Sequence, residues 1–302
     1  MIFYAMVILV KRTGQLGNRL FLFAHFISNA AEYGYELCNP SFGAYAPFFE
    51  ATATGEFGGL PVSLHPFGKQ RAGFDKVFGL LQHPRAFRLL RGATQLLPAS
   101  RLTLVHSADD DDTCFDLNQP EYLAQARSSN IVLAHGWLFR DKRHFVRHAP
   151  RLRQLFAPIA PHRHAVATLL EQVRRTADVV VGVHLRRGDY AHFAGGAFYY
   201  TNATYARAMR QLRDQLPAQQ RVAFLLCSNE EVEPADFAGL AVHRPTGHFV
   251  EDLYALAGCD YILGPPSSYS LWASFYGQVP LLHLQNAQQP VALPEFEVFL
   301  DT

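Results

Sequence analysis

Residues 179–190 read VVVGVHLRRGDY, an apolar run that passes without a break into a dense polar cluster. A short, nearly continuous apolar segment predicts a central parallel strand covered on both faces. After it, apolar and polar positions alternate between two periods. The pattern predicts a helix over 203–215, a strand over 222–226, a polar turn at 227–231, and a short helix over 250–258. A strand over 260–263, a Gly-Pro-Pro-Ser turn, a helix over 270–276 closed by Gly277 and a last strand over 278–284 follow. Strands alternating with helices imply right-handed βαβ units and a parallel sheet, so the fold class is α/β.

The N-terminal end repeats the theme. VILV predicts a strand, KRTGQLGN a turn, and the apolar-rich stretch over 19–33 a helix whose end Gly34 closes in the left-handed conformation. Residues 39–64 show no clear period and read as loops with short elements. Over 67–101, Lys69, Arg71, Lys76, Arg85, Arg88 and Arg91 interleave with Phe and Leu, a basic amphipathic stretch. It reads as a surface helix with a solvated basic face, or as a contact for an anionic membrane or glycolipid. Residues 131–138 predict a strand, with Trp137 a core residue or an acceptor platform. Pro150, Pro158 and Pro161 read as a linker before a helix over 165–175, which places a boundary near Ala160 and gives domains 1–160 and 161–302.

Composition narrows the class. With 302 residues, 49% hydrophobic and 18% charged, the chain is long enough for two globular domains. A formal net charge of +1 argues against a general nucleic-acid binder. Cys38, Cys114, Cys227 and Cys259 are scattered, with no C-x-x-C pair, and read as reduced thiols. The apolar start MIFYAMVILV is too short to span a membrane and lacks the basic opening of a secretory signal, so the expectation is a cytoplasmic protein, with any membrane contact peripheral.

Chemistry concentrates at the carboxyl ends of the predicted strands, where open α/β sheets bind ligands. His184, Arg186, Arg187, Gly188 and Asp189 follow the first strand of the second half. Paired guanidinium forks match phosphate oxygens, Gly188 permits a tight turn, and Asp189 can brace it. A purely structural Arg–Asp pair is the alternative. Ser228, Asn229 and Glu230 form the next strand-end turn. Ser267, Ser268, Tyr269 and Ser270 then open a helix, where backbone N–H groups and hydroxyls suit an anion. In the first half, Gly14, Gly17 and Asn18 bracket a strand-to-helix turn. It is neither G-x-G-x-x-G nor a Walker loop, and Asn18 either caps the helix or meets a ligand. The run Asp109 to Asp112 mimics an Asp-x-Asp metal pair but sits among turn formers, and reads as a solvated acidic loop. His144, His148, His162 and His164 suggest metal binding by abundance alone, since nothing forms H-E-x-x-H.

Four segments in order resemble the alpha-1,2-fucosyltransferases of glycosyltransferase family 11, and more distantly the wider fucosyltransferase group that includes the protein O-fucosyltransferases. They are Gly14-Gln15-Leu16-Gly17-Asn18; His184-Leu185-Arg186-Arg187-Gly188-Asp189-Tyr190; Cys227-Ser228-Asn229-Glu230; and Asp252-Leu253 through Cys259 to Ser267-Ser268-Tyr269-Ser270-Leu271-Trp272. The second is the specific one; nothing between residues 39 and 131 takes part.

The resemblance implies a GT-B glycosyltransferase, two Rossmann-like domains facing across a cleft, with GDP-fucose on the C-terminal one. It implies inverting transfer to a galactose-terminated oligosaccharide or glycolipid, without a required metal or other cofactor. It assigns Arg186 to the β-phosphate and the departing GDP, His184 to the nucleotide, the serine turn to further phosphate contacts and Asn18 to a contact from the other domain. Asp189 braces the arginine turn, and Arg187 is partly structural. Two departures stand out. The family shows an aspartate after the serine of the third segment, suited to guanine N1 and N2, where this chain has Asn229 then Glu230. It also shows an asparagine before the serine turn and a tryptophan pair, where Pro266 and a single Trp272 stand here. A transferase for another nucleotide sugar, or a non-catalytic nucleotide- or glycan-binding relative, are the competing readings. For the general base, His25, Glu32 and Asp189 lie near the motifs, and each has a structural explanation.

Overall fold

A computed structural model of the chain describes residues 5–66, 78–79, 82, 84–96, 102–107, 114–128 and 131–300. The run Asp109 to Asp112 and the basic residues Lys69, Arg71 and Lys76 lie outside the described residues. The chain divides into two compact units between Ile159 and Ala160.

The first unit carries a wholly parallel sheet. Its strands are β1 (Met6–Leu9), β2 (Glu36–Cys38), β3 (Val62–Ser63), β4 (Leu102–His106) and β6 (Ile131–His135), in spatial order β3-β2-β1-β6-β4. Two short strands, β5 (Phe115–Asp116) and β7 (Phe139–Arg140), pair separately. Helix α1 (Leu16–Tyr33) is apolar on nearly every face, and thirteen of its residues from Leu16 to Ala30 are buried. That burial explains its lack of a clear amphipathic stripe. Gly34 ends it at φ 76°, its N–H donating to the Ala30 carbonyl at 2.9 Å. Shorter helices α2 (Glu50–Thr54), α3 (Pro84–Leu96) and α4 (Pro120–Ser128) complete the connections, and α5 (Lys142–Leu155) packs on α1. Phe23 of α1 forms the middle of an aromatic cluster with Phe42, Phe57 and Phe156.

The proline-rich stretch corrects the linker expectation. Pro150 lies inside α5, exposed on its solvent side where the missing backbone bond can be made up by water, and Pro161 lies in the first turn of α6 (Ala160–Arg174), where no N–H partner is needed. The two helices are joined by only four residues.

In the second unit the strands are β8 (Val179–Leu185), β9 (Val222–Ser228), β10 (Ala241–His243), β11 (Tyr261–Gly264), β12 (Pro280–His283) and β13 (Glu297–Val298), in spatial order β10-β9-β8-β11-β12-β13. All pairings are parallel except β12 with β13. By chain order this is 3-2-1-4-5-6, the doubly wound Rossmann order, with its switch point between β8 and β11. Every residue of β8 is buried, as its apolar run requires, and α7 (Asn202–Arg213), α8 (Phe249–Leu256) and α9 (Ser268–Gly277) cross over the sheet. Gly277 is the last helical residue of α9, and the left-handed cap falls on Gln278 at φ 56°. The glycine answers a close approach instead: an added Cβ would stand 1.9 Å from the Ala257 carbonyl oxygen.

Candidate functional site

The switch point of the second unit collects the sequence motifs. Strand β8 ends at Leu185, opposite Ser228 of β9, so the residues just beyond each strand meet. The Arg187 N–H donates to Asn229 Oδ1 at 3.0 Å and the Gly188 N–H to Glu230 Oε1 at 2.9 Å. Gly188 adopts φ 60°, and an added Cβ would lie 2.8 Å from Asn229 Nδ2. Asn229 and Glu230 therefore brace the arginine turn from the neighbouring strand, while Ser228 Oγ accepts from the Glu230 N–H at 3.2 Å.

Within the turn the two arginines have different tasks. Arg187 is tied down: its guanidinium donates to Asn202 Oδ1 and lies 5.4 Å from the Tyr199 ring centre. Arg186 has a side chain only 15% exposed, pairs with Asp189 at 2.8 Å, and sits 5.2 Å from the Tyr190 ring centre. Its Nε is buried with no hydrogen-bond partner. A cation so placed, with one carboxylate shared and one N–H unmet, is set to receive an oxyanion.

On the other side of the switch point, β11 leads into the serine turn and α9. Tyr190 OH donates to the Pro266 carbonyl at 2.6 Å and ties the two turns together. Ser267 caps α9, its Oγ accepting from the Tyr269 N–H at 3.2 Å, and Ser268 is the first helical residue, half-buried. Ser270 is fully buried, its hydroxyl held between the Ser267 carbonyl and His283 Nε2. Two of the three serines thus border the turn, and the third fixes its base.

His184, at the end of β8, is buried with Nδ1 unpartnered, and its ring centre lies 5.0 Å from that of Tyr269. Burial first, then the Arg186 and His283 charges, press its pKa down to about 3, so the ring is neutral. Tyr269 OH donates to the Phe249 carbonyl at 2.6 Å, linking α9 to the start of α8.

Asp252, in the first turn of α8, went without a role in the sequence reading. It is 5% exposed, and its Oδ1 has no hydrogen-bond partner. Burial pushes its pKa up to about 7 despite a hydrogen bond from the Gly247 backbone. Its charge acts on both Cys227 and Tyr269, which places it beside the β9 and α9 ends of the site. The signal available beforehand was an aspartate inside an apolar helix, FVEDLYAL.

Gly17 and Asn18 belong to the first unit, in the first turn of α1. The helix cap is Gln15, so Asn18 is not the capping residue; it is half-buried and folds over Gly14, where an added Cβ would lie 2.2 Å from its Nδ2. Arg19 braces the same turn, donating to the Gly14 and Ser41 carbonyls at 3.2 Å each. His25 is fully buried and accepts from the Asp141 N–H at 3.1 Å, with its pKa well lowered by burial; Glu32 pairs with His148 at 2.7 Å and with Arg147. His144 Nδ1 donates to Asp141 Oδ2 at 2.9 Å. These groups are structural partners of one another.

No family model matches the chain, and no curated protein matches it. Solved structures do. A mutant of Arabidopsis thaliana FUT1 in complex with GDP superposes with a TM-score of 0.63 at 16% identity, over 97% of this chain and 73% of that one. Fucosyltransferase NodZ from Bradyrhizobium gives 0.58 at 18% identity, over 95% and 97%. POFUT1 in its apo form gives 0.54 at 11% identity, over 93% and 98%. The chain therefore has the mixed α/β fold, with parallel sheets, of these fucosyltransferases.

Proposed function

We propose that the protein is an inverting glycosyltransferase that moves L-fucose from GDP-fucose to the 2-hydroxyl of a terminal β-galactoside, on an oligosaccharide or glycolipid. The observation that carries this reading is Arg186 at the Rossmann switch point, with an unmet buried N–H and a serine-capped helix start fastened to its turn. Similar solved structures hold GDP or GDP-fucose, which supports a guanosine diphosphate sugar as the donor.

In this mechanism the acceptor hydroxyl attacks the anomeric carbon as that carbon's bond to the β-phosphate oxygen breaks, configuration inverts, and the hydroxyl proton is lost to solvent. Charge grows on the departing diphosphate. Arg186, Ser267, Ser268 and the N-terminal dipole of α9 meet it without a metal ion, in a geometry fixed before the reaction begins. His184 and Tyr269 wall the nucleotide. Asp252 supplies the carboxylate suited to guanine N1 and N2, because Asn229 and Glu230 are engaged with the arginine turn. Gly17 and Asn18 are assigned to the donor by the resemblance, and the GT-B arrangement belongs to the same reading. So does peripheral contact with an anionic membrane through residues 69–91, where Arg85, Arg88, Leu89 and Arg91 of α3 are exposed. Co-sedimentation with phosphatidylserine vesicles, lost on Leu89→Asp, checks that contact.

The deciding experiment incubates the protein with GDP-fucose and galactose-terminated acceptors and reads product mass and linkage. Arg186→Ala should lower transfer about a hundredfold while leaving the fold intact; full activity of that variant overturns the reading. A thermal-shift panel of nucleotide sugars separates the donors, since only a bound one stabilises the fold by mass action.

A further inference from the structure

The starts of α6 and α8 bring together three metal-ligand side chains that transfer chemistry does not use. His162 lies in the first turn of α6, His248 precedes α8, and Glu251 lies in the first turn of α8. His162 Nδ1 stands 2.8 Å from Glu251 Oε1, and the His162 and His248 rings stack with centres 4.4 Å apart. One ligand atom from each of the three lies within 4.8 Å of the other two, and all three residues are half-buried. Thr246 donates its hydroxyl to the other oxygen of Glu251, an outer hydrogen bond of the kind that orients a ligating carboxylate.

We propose that His162, His248 and Glu251 form a site for a divalent transition-metal ion, best suited to zinc, that joins the start of α6 to the start of α8. Two imidazoles and one carboxylate, with a fourth position for water, match zinc's ligand preferences. Ligand bonds of about 2.1 Å give a tetrahedron with edges of about 3.4 Å, so loading spreads the His162–Glu251 pair from 2.8 Å by roughly half an ångström and brings the third ligand atom, within 4.8 Å of both, to the same spacing. The ion takes the place of the hydrogen between His162 and Glu251, the Nδ1 proton of the neutral ring moving to Nε2, and binding weakens in acid because a protonated imidazole cannot ligate. The ion also stiffens the turn that carries Phe249 and Asp252, next to Tyr269. The site does not depend on the identity of the nucleotide sugar.

The test uses untagged, metal-free protein over its full length. Zinc titration by calorimetry should show one high-affinity equivalent, and the melting temperature should rise by a few degrees. Cobalt(II) should give the intense visible bands of a four-coordinate site. His162→Gln and His248→Asn, the latter keeping a helix-capping acceptor, should each weaken zinc binding at least about tenfold. Zinc affinity unchanged in the double variant overturns the proposal. X-ray absorption of zinc-loaded wild type decides independently of any variant: two imidazoles in the shell support the site, and sulfur or oxygen-only coordination sinks it.

Discussion

At the residue scale, Asp252 is the most exposed consequence of the site's chemistry. Its folded pKa, about 7, lies above that of a free carboxyl because burial disfavours the charged form. The folded state therefore holds a proton that the unfolded chain releases, and the stability this gives is full below about pH 4 and lost as pH rises to 7. Asp252→Asn removes the dependence. In urea unfolding the variant should match wild type near pH 4.5 and exceed it at pH 7.5, by on the order of 1–4 kcal/mol. Its affinity for GDP should nonetheless fall at least about tenfold, because an amide cannot accept from both guanine N1 and N2 as a carboxylate does. Equal GDP affinity by calorimetry would remove Asp252 from the base pocket. The position of Arg186, just beyond a buried strand, was legible in the chain because the valine run of β8 passes directly into the arginine pair. The bracing contacts of Asn229 and Glu230 were not legible for a physical reason: a sequence shows residues beyond a strand end, not the neighbour they face. The β8–β9 register, with Leu185 opposite Ser228, turns them onto the Arg187 and Gly188 amides.

At the scale of elements, β8 was readable from its valines, and the crossovers followed from strand and helix periods. What periodicity could not give was tolerance. Pro150 and Pro161 look like punctuation, yet one lies on an exposed helix face and the other in a first turn, where the lost N–H costs little. Gly277 looks like a terminator, yet its function is contact between α9 and the end of α8 at Ala257. A methyl group there meets backbone, which cannot rotate away. Gly277→Ala should destabilise the second unit by on the order of 3 kcal/mol. Thermal unfolding by circular dichroism measures it, and a melting point within about 1 °C of wild type would show that the two helices part without cost.

For the whole molecule, each unit has its own apolar strand near its start: β1 leads into the turn and α1 in the first, and α6 leads into β8 in the second. The middle of the first unit was not legible in the sequence, since α2, β3, α3 and α4 are short elements held by aromatic contacts distant in sequence. Among the described residues, no helix is long and apolar enough to cross a membrane. One property spans both units. His25 and His135 in the first, and His184 and His283 in the second, all have pKa values driven down by burial; for His135, His184 and His283 they reach about 4, 3 and 4. Unfolded, each takes up a proton near pH 6.5; folded, each stays neutral until pH is far lower. Stability is thus full above about pH 6.5 and lost as pH falls toward 4, each group contributing up to about 1.4 kcal/mol per pH unit. Asp252 offsets one of the four over the same range, which leaves a net uptake of about three protons on unfolding. Over the two pH units from about 6.5 to 4.5 that slope removes up to roughly 8 kcal/mol, enough to unfold a protein at the lower end of the usual range of about 5–15 kcal/mol. Urea midpoints measured at half-unit steps should fall steadily across this interval, and more steeply in Asp252→Asn, where the offset is gone. A flat midpoint from pH 7 to 5 would mean that the buried imidazoles gain protons without unfolding the chain.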